Sequence, residues 1–349
     1  MSTSSDSMHA PVAITTVAVT GATGFVGRAI VAELVAKGYS VRALVRDREK
    51  ARRTLPSLGS AGSPGGAGKV QLIVGDVLDA SKVAELLKGA QACINLVGII
   101  RETRHVATGA AVTFRKSHVE ATRTLVHACE AAGVRRYVQM SALGVTPNGV
   151  SEYQKTKFEG EAIVRMSTLD WTIFRPGLIH GKDGEFVQLM RSILRREQPP
   201  YLFAPYFQRG VEDKRVPLGG VTYIDPKVQP VAVEDVAAAF TSCLTNASSV
   251  GEVYNLVGSE TLDWPAMLSF MRDAMHASGI HPFGIPAEAA AVAATVAGRL
   301  GLGDAVPFDA GMARMGAQDA TASLDKVRAE LHLSPKGFRE SFSAYAGSL

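Results

Sequence analysis

Ile14-Thr15-Thr16-Val17-Ala18-Val19-Thr20-Gly21-Ala22-Thr23-Gly24-Phe25-Val26-Gly27 is the stretch that decides the fold. Its β-branched first half predicts a buried parallel strand, and the apolar residues that follow recur at helical spacing as far as Gly38. A strand, a glycine turn and a helix N-terminus in this order form an anion site, because glycines let the backbone approach a pyrophosphate and the first N–H groups of the helix point at it. We therefore predict a dinucleotide-binding turn whose contacts come from Gly21, Thr23, Gly24, Phe25, Val26 and Gly27.

The spacing of these glycines is Gly-x-x-Gly-x-x-Gly, and it differs from the Gly-x-Gly-x-x-Gly of the commonest dinucleotide fingerprint. A glycine triplet by itself is weak evidence, since a tight turn between a strand and a helix needs glycines for packing alone. The position of the triplet between a predicted strand and a predicted helix is what favours nucleotide binding.

The composition is that of a globular protein with one large α/β domain and a smaller lobe. The chain has 349 residues, of which 46% are hydrophobic, and a net charge of +4. This mild charge, without interleaved aromatic and basic residues, predicts no nucleic-acid partner. Cys93, Cys129 and Cys243 lack metal-ligand spacing, so we expect reduced thiols in the core and no metal site.

The N-terminal segment carries no targeting signal that we recognise. Residues 1–11 are rich in serine but have neither a basic region nor a long apolar core. No run of about 18 uninterrupted apolar residues occurs in the sequence, so no transmembrane helix is expected. These features predict a cytoplasmic protein.

Strands and helices alternate through the first half of the chain. Strands are predicted at residues 14–19, 40–45, 70–74, 92–97, 136–140, 171–175 and 253–257, and helices at residues 26–35, 82–88, 114–132, 153–166 and 233–244. This alternation predicts a doubly wound parallel sheet of Rossmann type, with helices on both faces. We place a disordered tail at residues 1–12 and the nucleotide-binding domain at residues 13–178. Residues 179–349 then form a smaller C-terminal α/β substrate lobe, interleaved with late sheet elements.

Two segments are predicted to be loops. Residues 56–69 are rich in glycine and serine, which is typical of a mobile connection. Residues 199–220 are expected to form a long loop over a pocket. The side chains that can line this mostly apolar pocket, or else belong only to a surface loop, are His180, Lys182, Asp183, Tyr201, Phe203, Tyr206 and Phe207.

The end of the second strand bears on which dinucleotide binds. An acidic residue about 20 positions after the glycines would favour NAD, whereas an arginine accommodates the 2′-phosphate of NADP. Arg46 stands where that acid would be, and Arg28 directly follows the third glycine, so we expect both to contact phosphate and favour NADP(H). Arg52 and Arg53 are interpreted as a solvated helix face, and the neighbouring Asp47 can reach a ribose, which leaves NAD(H) open.

Ligands of open parallel sheets lie beyond the carboxyl ends of the strands. Residues at these ends, which we expect to line the cofactor site, are Asp76, Val77, Val97, Gly98 and Pro176. The Asp76 carboxylate can accept a hydrogen bond from the adenine amino group, although a turn or capping role explains it nearly as well.

Three candidate catalytic residues follow the fifth strand. Ser141 comes just after it, and Tyr153 and Lys157 are four residues apart, so both side chains share one face of a helix. A free tyrosine has a pKa of about 10, and an ammonium group about 4 Å away can supply the roughly 4 kcal/mol needed to ionise it near neutral pH. Lys157 is therefore expected to make Tyr153 an acid/base group and to hold the nicotinamide ribose, while Ser141 orients the substrate oxygen. By itself, a tyrosine and a lysine at this spacing usually form only a solvated pair.

The three glycines, Asp76, Ser141, the Tyr153/Lys157 pair and Arg175-Pro176-Gly177 together resemble the short-chain dehydrogenase/reductase superfamily, in particular its extended and atypical branches. Further stretches, among them Ile94-Asn95-Leu96-Val97-Gly98 and Tyr153-Gln154-Lys155-Thr156-Lys157-Phe158-Glu159-Gly160-Glu161, are similar to the group of epimerase/dehydratase-like proteins that contains the NAD(P)H-binding accessory subunit of respiratory complex I and its bacterial relatives. The resemblance implies NADP(H) bound at the switch point of the sheet.

The chain departs from extended enzymes of this superfamily at one position in the helix after the fourth strand. Those enzymes usually have an asparagine there, and this chain has His118. We interpret His118 as a helix-face residue beside the sheet, with a proton relay as the alternative.

Two functions follow from these residues. The Tyr153/Lys157 pair favours an NADP(H)-dependent oxidoreductase, or an epimerase/dehydratase-type enzyme, that acts on a small-molecule carbonyl or alcohol. The resemblance also implies a non-catalytic NADP(H)-binding accessory or assembly subunit of a respiratory-type complex. The Ala/Val-rich segment Ala287–Leu302 is either a buried helix of the smaller lobe or a surface helix that contacts a membrane or a protein complex peripherally.

Overall fold

The computed structural model describes residues 13–55, 68–104, 109–213, 220–277, 279–300 and 308–349. The predicted disordered tail at residues 1–12 and residues 56–67 of the predicted mobile loop lie outside the described residues.

The strands and helices are numbered in chain order. The strands are β1 (Thr16–Thr20), β2 (Ser40–Val45), β3 (Val70–Val74), β4 (Ala92–Asn95), β5 (Thr103–Arg104), β6 (Ala111–Val112), β7 (Arg136–Met140), β8 (Asp170–Pro176), β9 (Ile179–His180), β10 (Phe203–Asp213), β11 (Gly220–Ile224), β12 (Lys227–Val228), β13 (Val231–Ala232), β14 (Glu252–Leu256), β15 (Leu262–Asp263) and β16 (His281–Pro286). The helices are α1 (Phe25–Ala36), α2 (Arg48–Thr54), α3 (Ala80–Leu87), α4 (Ala121–Ala132, preceded by a π-helical turn at Arg115–Glu120), α5 (Glu152–Arg165), α6 (Glu185–Leu194), α7 (Val233–Ser242), α8 (Trp264–Ala274), α9 (Ala287–Arg299), α10 (Ala310–Gly316), α11 (Asp325–Leu331) and α12 (Phe338–Ala346).

The central sheet has seven strands in the order β14-β8-β7-β4-β1-β2-β3, and every neighbouring pair is parallel. The chain builds the sheet outward from β1 in one direction and then returns to β4 on the other side of it, so the switch point lies between β1 and β4. Buried residues of α1 and α7 pack on one face, and those of α3 and α4 pack on the other. The predicted doubly wound α/β fold is confirmed, while the domain boundary after residue 178 stays a prediction.

The smaller lobe corrects the prediction of a long loop at residues 199–220. Within that range, β10 and the start of β11 form a three-stranded sheet with β16, in which β11 pairs antiparallel and β16 pairs parallel to β10. Ala204 and Tyr206 of β10 are buried at the two-residue spacing of a strand. Pro205 and Gly210 are unfavourable for a strand and therefore hid it. Its pairing partner β16 lies 78 residues further along the chain, so the pairing leaves no local signal.

Helix α9 has one packed face and one exposed face, which differs from the prediction of a buried helix. Ala287, Ala290 and Ala291 pack against the lobe, while Val292 and Val296 on the opposite face are exposed. The interpretation as a buried helix of the smaller lobe is therefore wrong for the outward face, because alanines supply the packed face and the larger side chains point outward. Among the described residues, no helix is both long enough and apolar enough to cross a bilayer.

The three cysteines lie where the sequence predicts. Cys93, Cys129 and Cys243 are all free thiols buried in the core. Burial raises the pKa of the Cys243 thiol to about 12, so it stays protonated at neutral pH.

Candidate functional site

The glycine turn after β1 has the shape that a phosphate site requires. Gly21 has φ = +72°, and a Cβ there would lie 2.9 Å from the carbonyl of Leu96. A Cβ on Gly27 would lie 2.2 Å from the carbonyl oxygen of Gly21, so only glycine fits at the first turn of α1. Gly24 is the N-cap of α1 and provides no side-chain acceptor. The first N–H groups of α1, at Phe25, Val26 and Gly27, therefore have no partner within the helix and are available to an anion.

At the end of β2, the arginine and the neighbouring acid have different surroundings. Arg46 is exposed and makes no hydrogen bond or ion pair with any residue that the structure describes. Asp47 is the N-cap of α2, where its Oδ1 accepts from the backbone N–H groups of Glu49 and Lys50 at 2.9 Å. These hydrogen bonds lower the pKa of the Asp47 carboxyl, which stays ionised as a cap. Asp47 therefore has a structural task that competes with ribose binding.

The remaining polar candidates near the glycine turn have protein partners. Arg28 forms an ion pair with Asp183 at 3.7 Å, which links α1 to the segment after β9. Asp76 follows β3 and is exposed, and its Oδ1 accepts from the N–H of Leu78 at 2.9 Å. The turn role proposed as the alternative for Asp76 is thus present, and Val77 beside it packs against the core.

Tyr153 and Lys157 lie one turn apart on α5, as their spacing predicts. The Lys157 Nζ lies 6.0 Å from the centroid of the Tyr153 ring. Tyr153 borders an open cavity of about 380 Å³, whereas Lys157 is buried behind it. Burial raises the pKa of the Tyr153 hydroxyl to about 12, which is the opposite direction from the one that the sequence argument expected.

Lys157 is a buried cation with few partners. Its Nζ donates to the carbonyl oxygen of Met140 at 3.1 Å, and a Cβ on Gly98 would lie 2.9 Å from the same Nζ. Burial lowers the pKa of Lys157 to about 8, and the carboxylate of Glu161 partly opposes this shift. An ammonium group has three N–H donors, so two remain for another acceptor.

Ser141 begins the segment that follows β7. Its backbone N–H donates to the carbonyl of Phe174 at 2.7 Å, which extends the β7–β8 pairing by one residue. Its Oγ is buried and has no hydrogen-bond partner among the described residues. The neighbouring strand end is fixed in the same way, because Leu143 N–H donates to the carbonyl of Pro176 at 2.8 Å.

His118 is the centre of a cluster that supports the tyrosine. It lies in the π-helical turn before α4, a feature that often occurs near functional sites. Its Nδ1 lies 2.9 Å from the Thr156 Oγ1, and its Nε2 lies 3.3 Å from the backbone nitrogen and 3.2 Å from the carbonyl oxygen of Ile99. The imidazole meets the Tyr153 ring edge-to-face at 5.4 Å. Burial, helped by the Lys157 ammonium, lowers the pKa of His118 to about 2, so its imidazole is neutral at pH 7.

One polar network was missed by the sequence argument. Asn95 at the end of β4 is fully buried and accepts from the Thr20 hydroxyl at 2.8 Å, across the switch point. Its amide donates to Gln139 at 3.0 Å, and its Oδ1 accepts from the N–H of Val97 at 3.1 Å. Asn95 thereby fixes the turn that leads to Val97 and Gly98, the two residues predicted to line the cofactor. An asparagine in an otherwise apolar strand was the available signal.

Three of the residues predicted to line a substrate pocket, or else to belong to a surface loop, lie in the packed part of the smaller lobe. Tyr206 is buried in the core of the smaller lobe, and Phe207 packs against Phe308 beside α9 and α10. His180 is fully buried, and its two ring nitrogens contact Tyr345 at 2.9 Å and Ser341 at 3.2 Å. Tyr206 and Phe207 serve packing, because β10, which carries them, pairs with β16 instead of crossing the site as a loop.

The residues present fit a dinucleotide with a nicotinamide end. The glycine turn leaves open backbone N–H groups for a pyrophosphate, and Arg46 lies unpaired at the adenosine side of the sheet edge. At the other end, the buried Ser141 hydroxyl has no partner among the described residues, and the Lys157 ammonium donates to the Met140 carbonyl and has two further N–H donors. Among the described residues, no group of three or more histidine, cysteine and carboxylate side chains could hold a metal ion.

The chain is similar in sequence to an NAD(P)H-binding family and to proteins named as an NADH dehydrogenase subunit and as a reductase. A model of the NAD(P)H-binding family matches residues 21–194. The chain is 29% identical over 254 residues to a mitochondrial NADH dehydrogenase [ubiquinone] 1 alpha subcomplex subunit 9 of Arabidopsis thaliana, a match that covers 72% of this chain and 56% of that protein. It is also 28% identical over 268 residues to the ceramide reductase of Caulobacter vibrioides, which covers 76% of this chain and 71% of the reductase. The match thus spans little more than half of the Arabidopsis subunit.

The fold recurs in solved structures. The dTDP-glucose 4,6-dehydratase of Streptomyces venezuelae, solved with NAD bound, superposes with a TM-score of 0.65 over 95% of both chains, at 17% sequence identity. At this identity the likeness concerns the fold alone.

Proposed function

We propose that this chain, whose residues 21–194 match an NAD(P)H-binding family, is an NADP(H)-dependent reductase that converts a carbonyl into an alcohol. The observation that carries this proposal is the arrangement of Tyr153 and Lys157 next to the end of β7. Tyr153 borders the cavity, and the buried Lys157 ammonium lies 6.0 Å from its ring centroid. The same ammonium bonds to the carbonyl of Met140, the residue before Ser141, whose buried hydroxyl has no partner among the described residues.

The protonation state of Tyr153 favours reduction. With a pKa of about 12, the hydroxyl is protonated throughout the neutral range and can donate a proton to a substrate oxygen. An epimerase or dehydratase needs the same group to remove a proton first, which costs more as the pKa rises. Bound NADPH supplies the hydride that a carbonyl carbon accepts.

Lys157 and Ser141 act on either side of this proton transfer. Lys157 has a pKa of about 8, so most of it is protonated at pH 7, and its two free N–H donors suit the hydroxyl groups of a ribose. Its positive charge stabilises the tyrosinate that forms when the proton leaves. Ser141 has a hydroxyl that can donate to the substrate oxygen and fix its position.

The preference for NADP(H) over NAD(H) rests on Arg46. An unpaired guanidinium at the end of β2 can contact the 2′-phosphate through two N–H groups. Asp47, the residue that would otherwise bind the ribose hydroxyls, is engaged as the cap of α2.

The test has two parts. Fluorescence titration of the full-length protein should give a lower Kd for NADPH than for NADH, and carbonyl compounds should be screened for NADPH oxidation. In Tyr153→Phe, the rate of reduction should fall by about 10²–10⁴-fold while the Kd for NADPH stays within about twofold of wild type. Binding of neither coenzyme would refute the proposal, and so would full activity in the variant.

A second candidate function is supported by α9. The outward face of this helix carries exposed Val292, Val296 and Leu300 at four-residue spacing, and the chain is similar to proteins named as subunits of NADH dehydrogenase. This candidate is a peripheral, NADP(H)-binding subunit of a larger membrane-associated complex. If it holds, Val292→Asp together with Val296→Asp should release the protein from the high-molecular-weight membrane fraction without changing its Kd for NADPH. Recovery of wild type only as a free monomer would refute it.

A further inference from the structure

The cavity beside Tyr153 has walls of a defined chemistry. It lies between the first turn of α5, the segment before α4, and α10 of the smaller lobe, and its volume of about 380 Å³ is at the lower end of ligand-pocket sizes. Phe114, Met315 and Ile100 form its apolar wall. Ile100 is 54% exposed, so a large apolar side chain is left open to the cavity.

The charged residues at the rim are already satisfied by protein partners. Arg115, the cation among the described lining residues, pairs with Glu159 at 3.1 Å. Three lining residues carry carboxylates. Glu152 pairs with Lys155 at 2.9 Å, Glu102 accepts from the N–H of Phe114 at 2.8 Å, and Asp309 accepts from the N–H of Met312 at 2.8 Å.

This charge distribution disfavours an anionic ligand. A diphosphate or carboxylate entering the cavity meets two ion pairs, Arg115–Glu159 and Glu152–Lys155, and the carboxylates of Glu102 and Asp309, which accept from backbone N–H groups. Repulsion between like charges at close range costs more binding free energy than apolar contacts can restore. The apolar wall, in contrast, gains free energy from covering a neutral hydrocarbon.

Hydrogen bonds hold the wall around α10 against α5, the helix that carries Tyr153. The hydroxyl of Ser151, the N-cap of α5, donates to the sulfur of Met315 at 3.0 Å. One turn further, the side-chain amide of Gln154 donates to that of Gln318 at 2.9 Å. The smaller lobe therefore sets the wall that faces Tyr153 by direct bonds to the helix that carries the tyrosine.

We propose that this cavity selects an uncharged carbonyl compound with an apolar body and rejects nucleotide-sugars and other anions. This inference rests on the proposed reductase function and adds the substrate class to it. The carbonyl carbon gains a hydride from NADPH and the carbonyl oxygen gains the Tyr153 proton, so a neutral ketone leaves as a neutral secondary alcohol and NADPH becomes NADP⁺.

Equilibrium binding separates this inference from the reaction itself. The full-length protein, saturated with NADP⁺, is titrated by calorimetry with 2-octanone, with 2-oxooctanoate as the anion of equal chain length, and with UDP-glucose. We expect 2-octanone to bind about tenfold or more tightly than either anion. Equal or tighter binding of an anion, or no binding of 2-octanone, overturns the inference. If 2-octanone binds as expected but is never reduced, the reductase proposal is what fails.

A charge-neutral rim provides the matched control. In Glu152→Gln with Asp309→Asn, the asparagine still accepts from the N–H of Met312 as a helix cap, while two negative charges are removed. The affinity for 2-oxooctanoate should rise about three- to tenfold, and that for 2-octanone should stay within about twofold. An unchanged ratio of the two affinities would mean that the rim carboxylates do not set selectivity, which contradicts the inference. The Kd for NADPH verifies that the variant is folded.

Discussion

Replacing Lys157 by methionine should stabilise the cofactor-free protein and abolish its function. Burial lowers the pKa of this lysine from 10.5 to about 8, and each pKa unit is worth about 1.36 kcal/mol. Keeping the ammonium charged inside the fold therefore costs about 3 kcal/mol at neutral pH. Methionine also loses the hydrogen bond to the Met140 carbonyl, which costs about 1–2 kcal/mol. We expect Lys157→Met to raise the free energy of unfolding by about 1–2 kcal/mol at pH 7.

The stability gain of Lys157→Met should depend on pH, and the direction of this dependence distinguishes the removal of a buried charge from improved packing. The unfolded chain holds the Lys157 proton up to about pH 10.5, whereas the folded chain releases it above about pH 8. Between these values the unfolded state binds more protons, so the stability of wild type rises with pH. The advantage of Lys157→Met should therefore be complete below pH 8 and shrink towards pH 10.5.

The assay is urea unfolding of the cofactor-free protein at a series of pH values, with NADPH titration in parallel. Lys155→Met is the matched control, because Lys155 lies on the same helix, is half-exposed and forms only a surface ion pair with Glu152 at 2.9 Å. Its effect should stay within about 0.5 kcal/mol. A Lys157→Met protein that is less stable than wild type at pH 7, or whose advantage does not change with pH, would refute the reasoning.

Three further predictions concern the cofactor and the site. Arg46→Ala should raise the Kd for NADPH about 10–100-fold and leave that for NADH within about twofold, by fluorescence titration, whereas Arg53→Ala on the exposed face of α2 should change neither. Ser141→Ala removes a buried hydroxyl that has no partner, so thermal unfolding should show unchanged or slightly higher stability (up to about 1 kcal/mol) together with a reduction rate about 10–100-fold lower. Gly27→Ala places a Cβ 2.2 Å from the Gly21 carbonyl, so calorimetry should show a lower Tm and NADPH binding should weaken by about tenfold or more.

The central sheet and the order of the candidate residues could be predicted because their signals are local. β1, the glycine turn and α1 are consecutive in the chain, and Tyr153 and Lys157 need only helical spacing to share a face. The strand ends that bring Ser141 and Gly98 towards Lys157 then follow from the parallel sheet, whose carboxyl ends share one edge.

What could not be predicted depends on contacts between distant parts of the chain. Met315 and Gln318 bond to α5 across 164 residues, and neither residue type carries a signal for that contact. The strand β10 could not be predicted, because it pairs with the distant strand β16. The pKa of Tyr153 could not be predicted either. The sequence shows that Lys157 is near enough to lower this pKa, but it does not show how deeply the hydroxyl is buried, and burial raises the pKa.

The free-energy cost of the buried Lys157 ammonium connects the stability of the fold with cofactor binding. A ligand that binds only the folded state stabilises it by about 2.7 kcal/mol at a hundred times its Kd, which is close to the cost of the buried ammonium. If the two free N–H donors of Lys157 bind the coenzyme, NADPH should raise the Tm of wild type by several degrees and that of Lys157→Met much less. The stabilities of the two proteins should then converge as NADPH is added. An equal rise of Tm in both proteins would mean that the ammonium is buried for a reason other than the coenzyme.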